Sequence, residues 1–156
     1  MNLMYCSPLK KAAQTGIFTF VIAILFSATA VAQKPLTQTA DAVRGSSAYA
    51  EVLLKKTEIE SELESLSLDY TGEFPRVKEL KYSLSILQRD ADKILTTKPG
   101  DVGRLTQALG KLIVRRVDLE TDLWKLVQSY KEEHPEVKRA KRRVEIYDRA
   151  IKQIID

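Results

Sequence analysis

Tyr130-Lys-Glu-Glu-His-Pro-Glu-Val137 stands near the end of the chain, and sixty residues earlier Tyr70-Thr-Gly-Glu-Phe-Pro-Arg-Val77 places Tyr, Glu, Pro and Val at the same positions. Working outward from the octapeptide, residues 50–95 align with 110–155 without a gap at that constant offset. Glu60/Glu120, Leu63/Leu123, Leu66/Leu126, Lys78/Lys138, Lys81/Lys141, Ile86/Ile146, Arg89/Arg149 and Ile94/Ile154 all match. An ungapped match of this length signals one structural unit written twice.

Each repeat has helical, near-heptad apolar spacing. In the second, Leu105, Leu109, Leu112, Arg116, Leu119, Leu123, Leu126 and Tyr130 step by fours and threes, as do Val137, Ala140, Val144, Tyr147, Ile151 and Ile154. In the first, Val52, Lys56, Ile59, Leu63, Leu66 and Tyr70, then Val77, Leu80, Leu84, Leu87, Ala91 and Ile94, follow the same scheme. No stretch alternates with period two, so strands are not expected.

Proline disfavours helix in the residue before it, Phe74 or His134, yet suits the first turn of the helix that follows. The octapeptide therefore reads as helix end, tight connection, helix start around Pro75 and Pro135, with Gly72 strengthening the first break. Tyr70 to Val77 and Tyr130 to Val137 each span seven residues, so a long helix kinked at proline would keep the same phase. An antiparallel hairpin is the expected form, because each half is amphipathic and helices gain most of their stability by burying such a stripe. The expected fold is all-α: two tandem helical hairpins, four helices at about 47–70, 75–95, 101–130 and 135–155, with coiled-coil-like packing. The domain scheme is 47–95 for the first hairpin, 96–100 for a linker and 101–156 for the second, with Asp101 as an N-cap after Pro99 and Gly100.

Ahead of the repeats, Lys10 and Lys11 precede the apolar run Ile17–Leu25, and the small residues Ala30 and Ala32 follow it. This is the pattern of a secretory signal peptide over 1–32, cleaved to give a mature start at Gln33. The apolar run is shorter than the roughly 20 residues of a membrane anchor. Residues 33–46 lack periodicity and are expected to form a mobile leader. The protein is therefore expected to be exported, periplasmic or secreted. Cys6, the one cysteine, would leave with the signal, which rules out a disulfide framework or thiolate metal site in the mature chain. With His134 the single histidine, a multi-histidine metal site within one chain is ruled out too. No cofactor is expected. Removal of residues 1–32 lowers the formal net charge from +4 to +2, and a near-balanced exported chain is not expected to bind nucleic acid.

The pattern Leu123, Leu126, Tyr130, His134, Pro135 and Val137 resembles the periplasmic coiled-coil segment of polysaccharide chain-length determinants and related exopolysaccharide transport proteins. The first repeat carries Phe74 where the histidine would stand. Members of that family also have transmembrane helices near both termini, and this chain has no second apolar segment. What the resemblance implies is the coiled-coil hairpin, and it brings no catalytic residue with it.

Candidate sites are few. Glu58, Glu60, Glu62 and Glu64 fall at alternate positions, so they spread around a helix, whereas glycoside hydrolysis needs two carboxylates facing each other across a cleft. His134 sits in a turn where its counterpart is Phe74, with no titratable partner fixed beside it, and Tyr70 and Tyr130 are expected to pack at the hairpin base. Lys56 and Arg116 each place a cation on an otherwise apolar stripe, either to fix register or to lay an aliphatic stem over apolar surface, with Glu60 and Glu120 four residues on as partners.

Residues 50–95 hold seven basic and ten acidic residues, net −3, whereas 110–155 hold twelve and eight, net +4. The two repeats are expected to attract each other if they face. Lys138, Arg139, Lys141, Arg142 and Arg143 in the fourth helix, with Trp124 as an aromatic contact, form the candidate interaction surface. These features point to a non-enzymatic structural or adaptor protein of the bacterial cell envelope, packing helices with itself or another envelope protein. The alternative is a peripheral binder of anionic glycan or lipid headgroups through the basic fourth helix.

Overall fold

The computed structural model describes residues 36–155, and the expected signal peptide and cleavage point lie outside them. Every regular element among the described residues is helical. They are α1 (Leu36–Arg44), α2 (Ser47–Asp69), α3 (Pro75–Leu95), a 3-10 helix (Pro99–Arg104), α4 (Gln107–Ser129) and α5 (Pro135–Ile155).

The repeat is written into the element boundaries. α2 and α4 begin and end at the same positions sixty residues apart, as do α3 and α5. Their caps correspond as well: the Ser46 hydroxyl accepts from the Tyr49 amide, and the Thr106 hydroxyl accepts from the Leu109 amide, each at 3.3 Å. An N-cap hydroxyl satisfies one of the amides a helix start leaves without an internal partner.

Both octapeptides reverse the chain. Tyr70 and Tyr130 end their helices, with their amides donating to Leu66 and Leu126. The Phe74 and His134 amides then close turns onto the carbonyls of Thr71 and Lys131. Arg76, just inside α3, reaches back to Glu62 at 2.8 Å, across fourteen residues that would span about 20 Å along a continuous helix. In the second repeat α5 folds back along α4, and Asp148 meets the Arg116 guanidinium at 3.5 Å.

The segment 33–46, expected to be a mobile leader, instead contains α1. Val43 anchors it, fully buried in the same core as Leu105 and Leu109. The Gly45 amide closes the end of α1 onto Asp41, and the amide and hydroxyl of Ser46, the N-cap of α2, both donate to the Val43 carbonyl. So short a helix offers too few turns for a periodicity to be read. Asp101 does not cap α4 either. It lies in the 3-10 helix, and α4 starts later because Thr106 supplies the cap.

α4 is the centre of the fold, packing against α2, α3 and α5. It buries the expected stripe in part, through Leu109, Arg116 and Leu119, and a second face as well, through Gly110, Ile113, Val117 and Thr121. α3 likewise adds Ser83, Ile86 and Asp90 to its stripe of Val77, Leu80, Leu87, Ala91 and Ile94. Gly110 leaves α2 close against α4, for a Cβ there would lie 2.7 Å from the Glu51 Cβ and 3.0 Å from the Ala48 Cα.

The two repeats face each other through α2, α3 and α4, and the ion pairs Lys55–Asp118, Arg89–Glu120 and Lys125–Glu79 cross between them, but the acidic α2 and the basic α5 are not brought together. α5 packs on α4 and the 3-10 helix, and it does not pack against α2. The like-with-unlike contact is displaced by α4, which takes the place between them.

Candidate functional site

The two turns use their repeated residues as aromatic clasps. Tyr70 stacks on Phe74 with ring centroids 4.2 Å apart, and Tyr130 stacks on His134 at the same distance. His134 thus fills the place of Phe74. Its Nδ1 also accepts from the Glu136 amide at 3.3 Å, ordering the first turn of α5 after Pro135. Pro75 and Pro135 both stand at the first helical position, where the missing amide costs no internal bond.

Arg116 and Lys56, equivalent by sequence, meet different surroundings. Arg116 is buried between α3, α4 and α5, donating to Asp90 from α3 and to Glu120 at 3.0 Å, with Asp148 of α5 beside its Nε. Arg89 reaches Glu120 at 3.5 Å and Lys93 reaches Asp90 at 3.7 Å, so three cations and three carboxylates balance. A guanidinium suits this place because its fixed fork of donors serves several carboxylates at once. Lys56 is partly exposed and, among the described residues, pairs only with Glu60, at 2.7 Å. The acids that meet Arg116 have no acidic counterparts for Lys56: Asp90 corresponds to Ala150 and Asp148 to Gln88. Sequence reasoning found Glu120 by its spacing and missed Asp90 and Asp148. The available signal for Asp90 was its place on the second face of α3, with Ser83 and Ile86.

Of the basic residues in α5, Arg139 pairs with Glu136 at 2.7 Å and Lys141 with Glu132 at 3.2 Å. Lys138, Arg142, Arg143, Arg149 and Lys152 make no ion pair among the described residues. Trp124 is not brought into this group: it lies on α4 and stacks on Tyr82 of α3, with centroids 5.0 Å apart. Burial pushes the Tyr82 phenol above its ordinary value, and the Glu120 carboxylate adds to the shift.

Two clefts remain. One, of about 290 Å³ between α2, α3 and α4, brings Glu58 and Glu62 together with Glu79, Asp118 and Asp122, a convergence the alternating spacing in α2 did not foretell. Each of these acids has a cation within reach. Arg76 serves Glu62 and Glu79, Lys55 serves Glu58 and Asp118, and Lys125 serves Glu79 and Asp122. The hydrogen bond from Arg76 holds the Glu62 carboxyl below its ordinary range, and Asp122 and then Glu79 raise the Lys125 ammonium. This is an ion-pair lattice bracing three helices. The other cleft, of about 260 Å³, has Ile94, Leu105, Ile113 and Ile151 on its walls, with Asp90, Arg116 and Asp148 among its lining residues.

No family model, curated protein or solved structure matches the chain. No helix among the described residues is long and apolar enough to cross a membrane.

Proposed function

We propose that the chain is an exported, non-enzymatic helical repeat protein of the bacterial cell envelope, acting as a structural or adaptor module through helix packing with itself or another envelope protein. In this reading the two repeats are tandem hairpins with coiled-coil-like packing. The observation that carries it is the uncovered side of α5. Ile86 of α3 is 3% exposed, whereas its equivalent Ile146 is 49% exposed. A helix whose outer side repeats the pattern of a buried one is suited to packing against something else.

Export rests on Lys10, Lys11, the apolar run and Ala30-x-Ala32. Fractionation followed by N-terminal sequencing tests it: a periplasmic form starting at Gln33 is expected, and a cytoplasmic chain retaining Cys6 overturns it. A photo-crosslinker at position 146 in cells tests the module reading, with a discrete adduct to a protein expected and none overturning it.

The unpaired Lys138, Arg142, Arg143, Arg149 and Lys152 favour a second reading, a peripheral binder of anionic glycan or lipid headgroups. Binding to vesicles containing phosphatidylglycerol, lost as ionic strength rises, would support it, because surface charge attraction is screened by salt.

A further inference from the structure

The contact between the two repeats contains, at an offset of sixty residues, a specification for the next contact. Several residues that the two repeats use toward each other have exposed equivalents on the outer sides. Ile113 of α4 is 4% exposed, and its equivalent on α2, Leu53, is 45% exposed. The second face of α4 runs Ile113, Val117, Thr121; on α2 the same positions are Leu53, Thr57 and Ser61, all exposed. On the opposite end, Ser83 and Ile86 of α3 are buried while Arg143 and Ile146 of α5 lie open.

The charges agree. α2 carries two basic and six acidic residues, net −4, and α5 carries seven and three, net +4. The repeat–repeat contact translates pair by pair. Lys55–Asp118, at 3.5 Å, becomes Arg115 with Glu58 of the next copy. Arg89–Glu120 becomes Arg149 with Glu60 of the next copy. The Tyr82–Trp124 stack becomes Arg142 with Glu64 of the next copy. The remaining contacts, Arg116–Asp90, Lys125–Glu79 and Gln107–Glu51, become pairs of one charged and one neutral residue. None becomes a like-charge pair.

Resting on the module reading above, we infer that the occupant of both free surfaces is a second copy of this chain, added head to tail, with α2 of one copy seated against α4 and α5 of the next as α4 is seated against α2 and α3 within the monomer. Such a contact is heterologous, so it continues into a ring or an open array. It is looser than its internal template in two respects. Ala50 stands where Gly110 permits a close approach, and Lys56 finds Ala150 where Arg116 finds Asp90. Opposite charge sets the register that the buried ion pair sets inside.

Charge-reversal pairs test it. The described residues form a compact unit with its own core, and the variants are made in 33–156 and repeated in the full chain. Glu58→Arg with Glu60→Arg disables the α2 surface; Arg115→Glu with Arg149→Glu disables the α4–α5 surface. All four side chains are exposed, and the ion pairs of Glu58, Glu60 and Arg115 lie within their own helices, so circular dichroism should be unchanged. Sedimentation should show concentration-dependent association of the wild-type chain, weakened by on the order of tenfold or more in either double variant. An equimolar mixture of the two double variants should regain association, because each reversed surface then meets its complement on the other variant, and the quadruple variant should regain it by the same pairing. A wild-type chain that stays monomeric to about 1 mM, a mixture no stronger than its components, or a quadruple variant that fails to recover each overturns the inference. In-cell crosslinking from position 146 separates this failure from failure of the module reading: an adduct to a different protein leaves the module reading standing, and the absence of any adduct sinks both.

Discussion

α3 and α5 are the same helix written twice, with the same boundaries, the same N-terminal proline and the same apolar stripe. Yet α3 buries Val77, Leu80, Ser83, Ile86, Leu87, Asp90, Ala91 and Ile94, whereas α5 buries Val137 alone. The stripe facing the hairpin partner accounts for part of this. The larger part is the second face, which α4 covers on α3 and nothing within the described residues covers on α5. In a repeat protein each unit's stability is therefore divided between what its own hairpin supplies and what a neighbour adds. Equivalent substitutions in the two repeats separate these contributions.

The widest separation is expected between Arg116 and Lys56. Arg116→Ala leaves Asp90 buried with its main partner gone, and breaking a buried pair costs about 3–5 kcal/mol. Lys56→Ala removes an exposed i,i+4 pair worth about 0.3–0.5 kcal/mol. Urea denaturation of each variant measures the difference, and the double change Arg116→Met with Asp90→Ala should recover most of the loss. An Arg116→Ala protein within about 1 kcal/mol of wild type would mean that the ionic core is not holding the three helices.

Ile86→Ala and Ile146→Ala change the same side chain at the same repeat position. The first empties a buried site and should cost about 2–5 kcal/mol. The second, on an open surface, should stay within about 0.5 kcal/mol in a dilute monomer. Near-equal losses in thermal melts would erase the distinction between the helices. Conversely, a loss at Ile146 that grows with protein concentration would sharpen it.

Gly110→Ala inserts a methyl group against Ala48 and Glu51. Overpacking there costs about 1–3 kcal/mol and exceeds the helix-propensity gain of about 1 kcal/mol. The matching change Ala50→Gly, on the open face of α2, loses only propensity. Chemical denaturation should rank Gly110→Ala and Ala50→Gly both below wild type, and a stabilised Gly110→Ala protein would show that α2 and α4 can part at no cost.

The smallest effect concerns Glu62. Its folded value is depressed by Arg76, so its contribution is present above glutamate's ordinary value of about 4.3 and is lost as the pH falls through the lower folded value. Because both partners are substantially exposed, the gap between wild type and Glu62→Gln should sit at the low end of about 0.2–1 kcal/mol at pH 7 and close toward pH 3. A gap that widens on acidification would reverse the sign of the shift.

Much of this architecture is legible in the sequence because it rests on local or periodic signals. The offset of sixty, the proline at each helix start and the apolar stripe placed α3 and α5 to the residue, and α2 and the end of α4 within one residue. What was not legible depends on which surfaces meet. α1 is only nine residues long and is anchored through Val43, so no local pattern announces it. The late start of α4 follows from a cap at Thr106, which was hidden behind the more obvious Asp101. Asp90 and Asp148 approach Arg116 only because α3 and α5 both lie against α4, and the charge contrast between α2 and α5 gives no sign that α4 stands between them. At the proposed interaction surface, the basic run in α5 was visible at once, whereas its separation from Trp124 was not.

The same architecture has equipped the molecule with two native reporters. Trp124 is the single tryptophan and lies at the junction of the repeats against Tyr82, while His134 is the single histidine and lies at the tip of the second repeat against Tyr130. Tryptophan fluorescence therefore follows the parting of the two repeats, and the ring-current-shifted imidazole signal in a proton spectrum follows the opening of the second hairpin. Recorded on one unlabelled sample during a single denaturant titration, the two curves measure how tightly the repeats are coupled: coincident midpoints mean one cooperative body, and an earlier fluorescence midpoint means hairpins that outlive their junction.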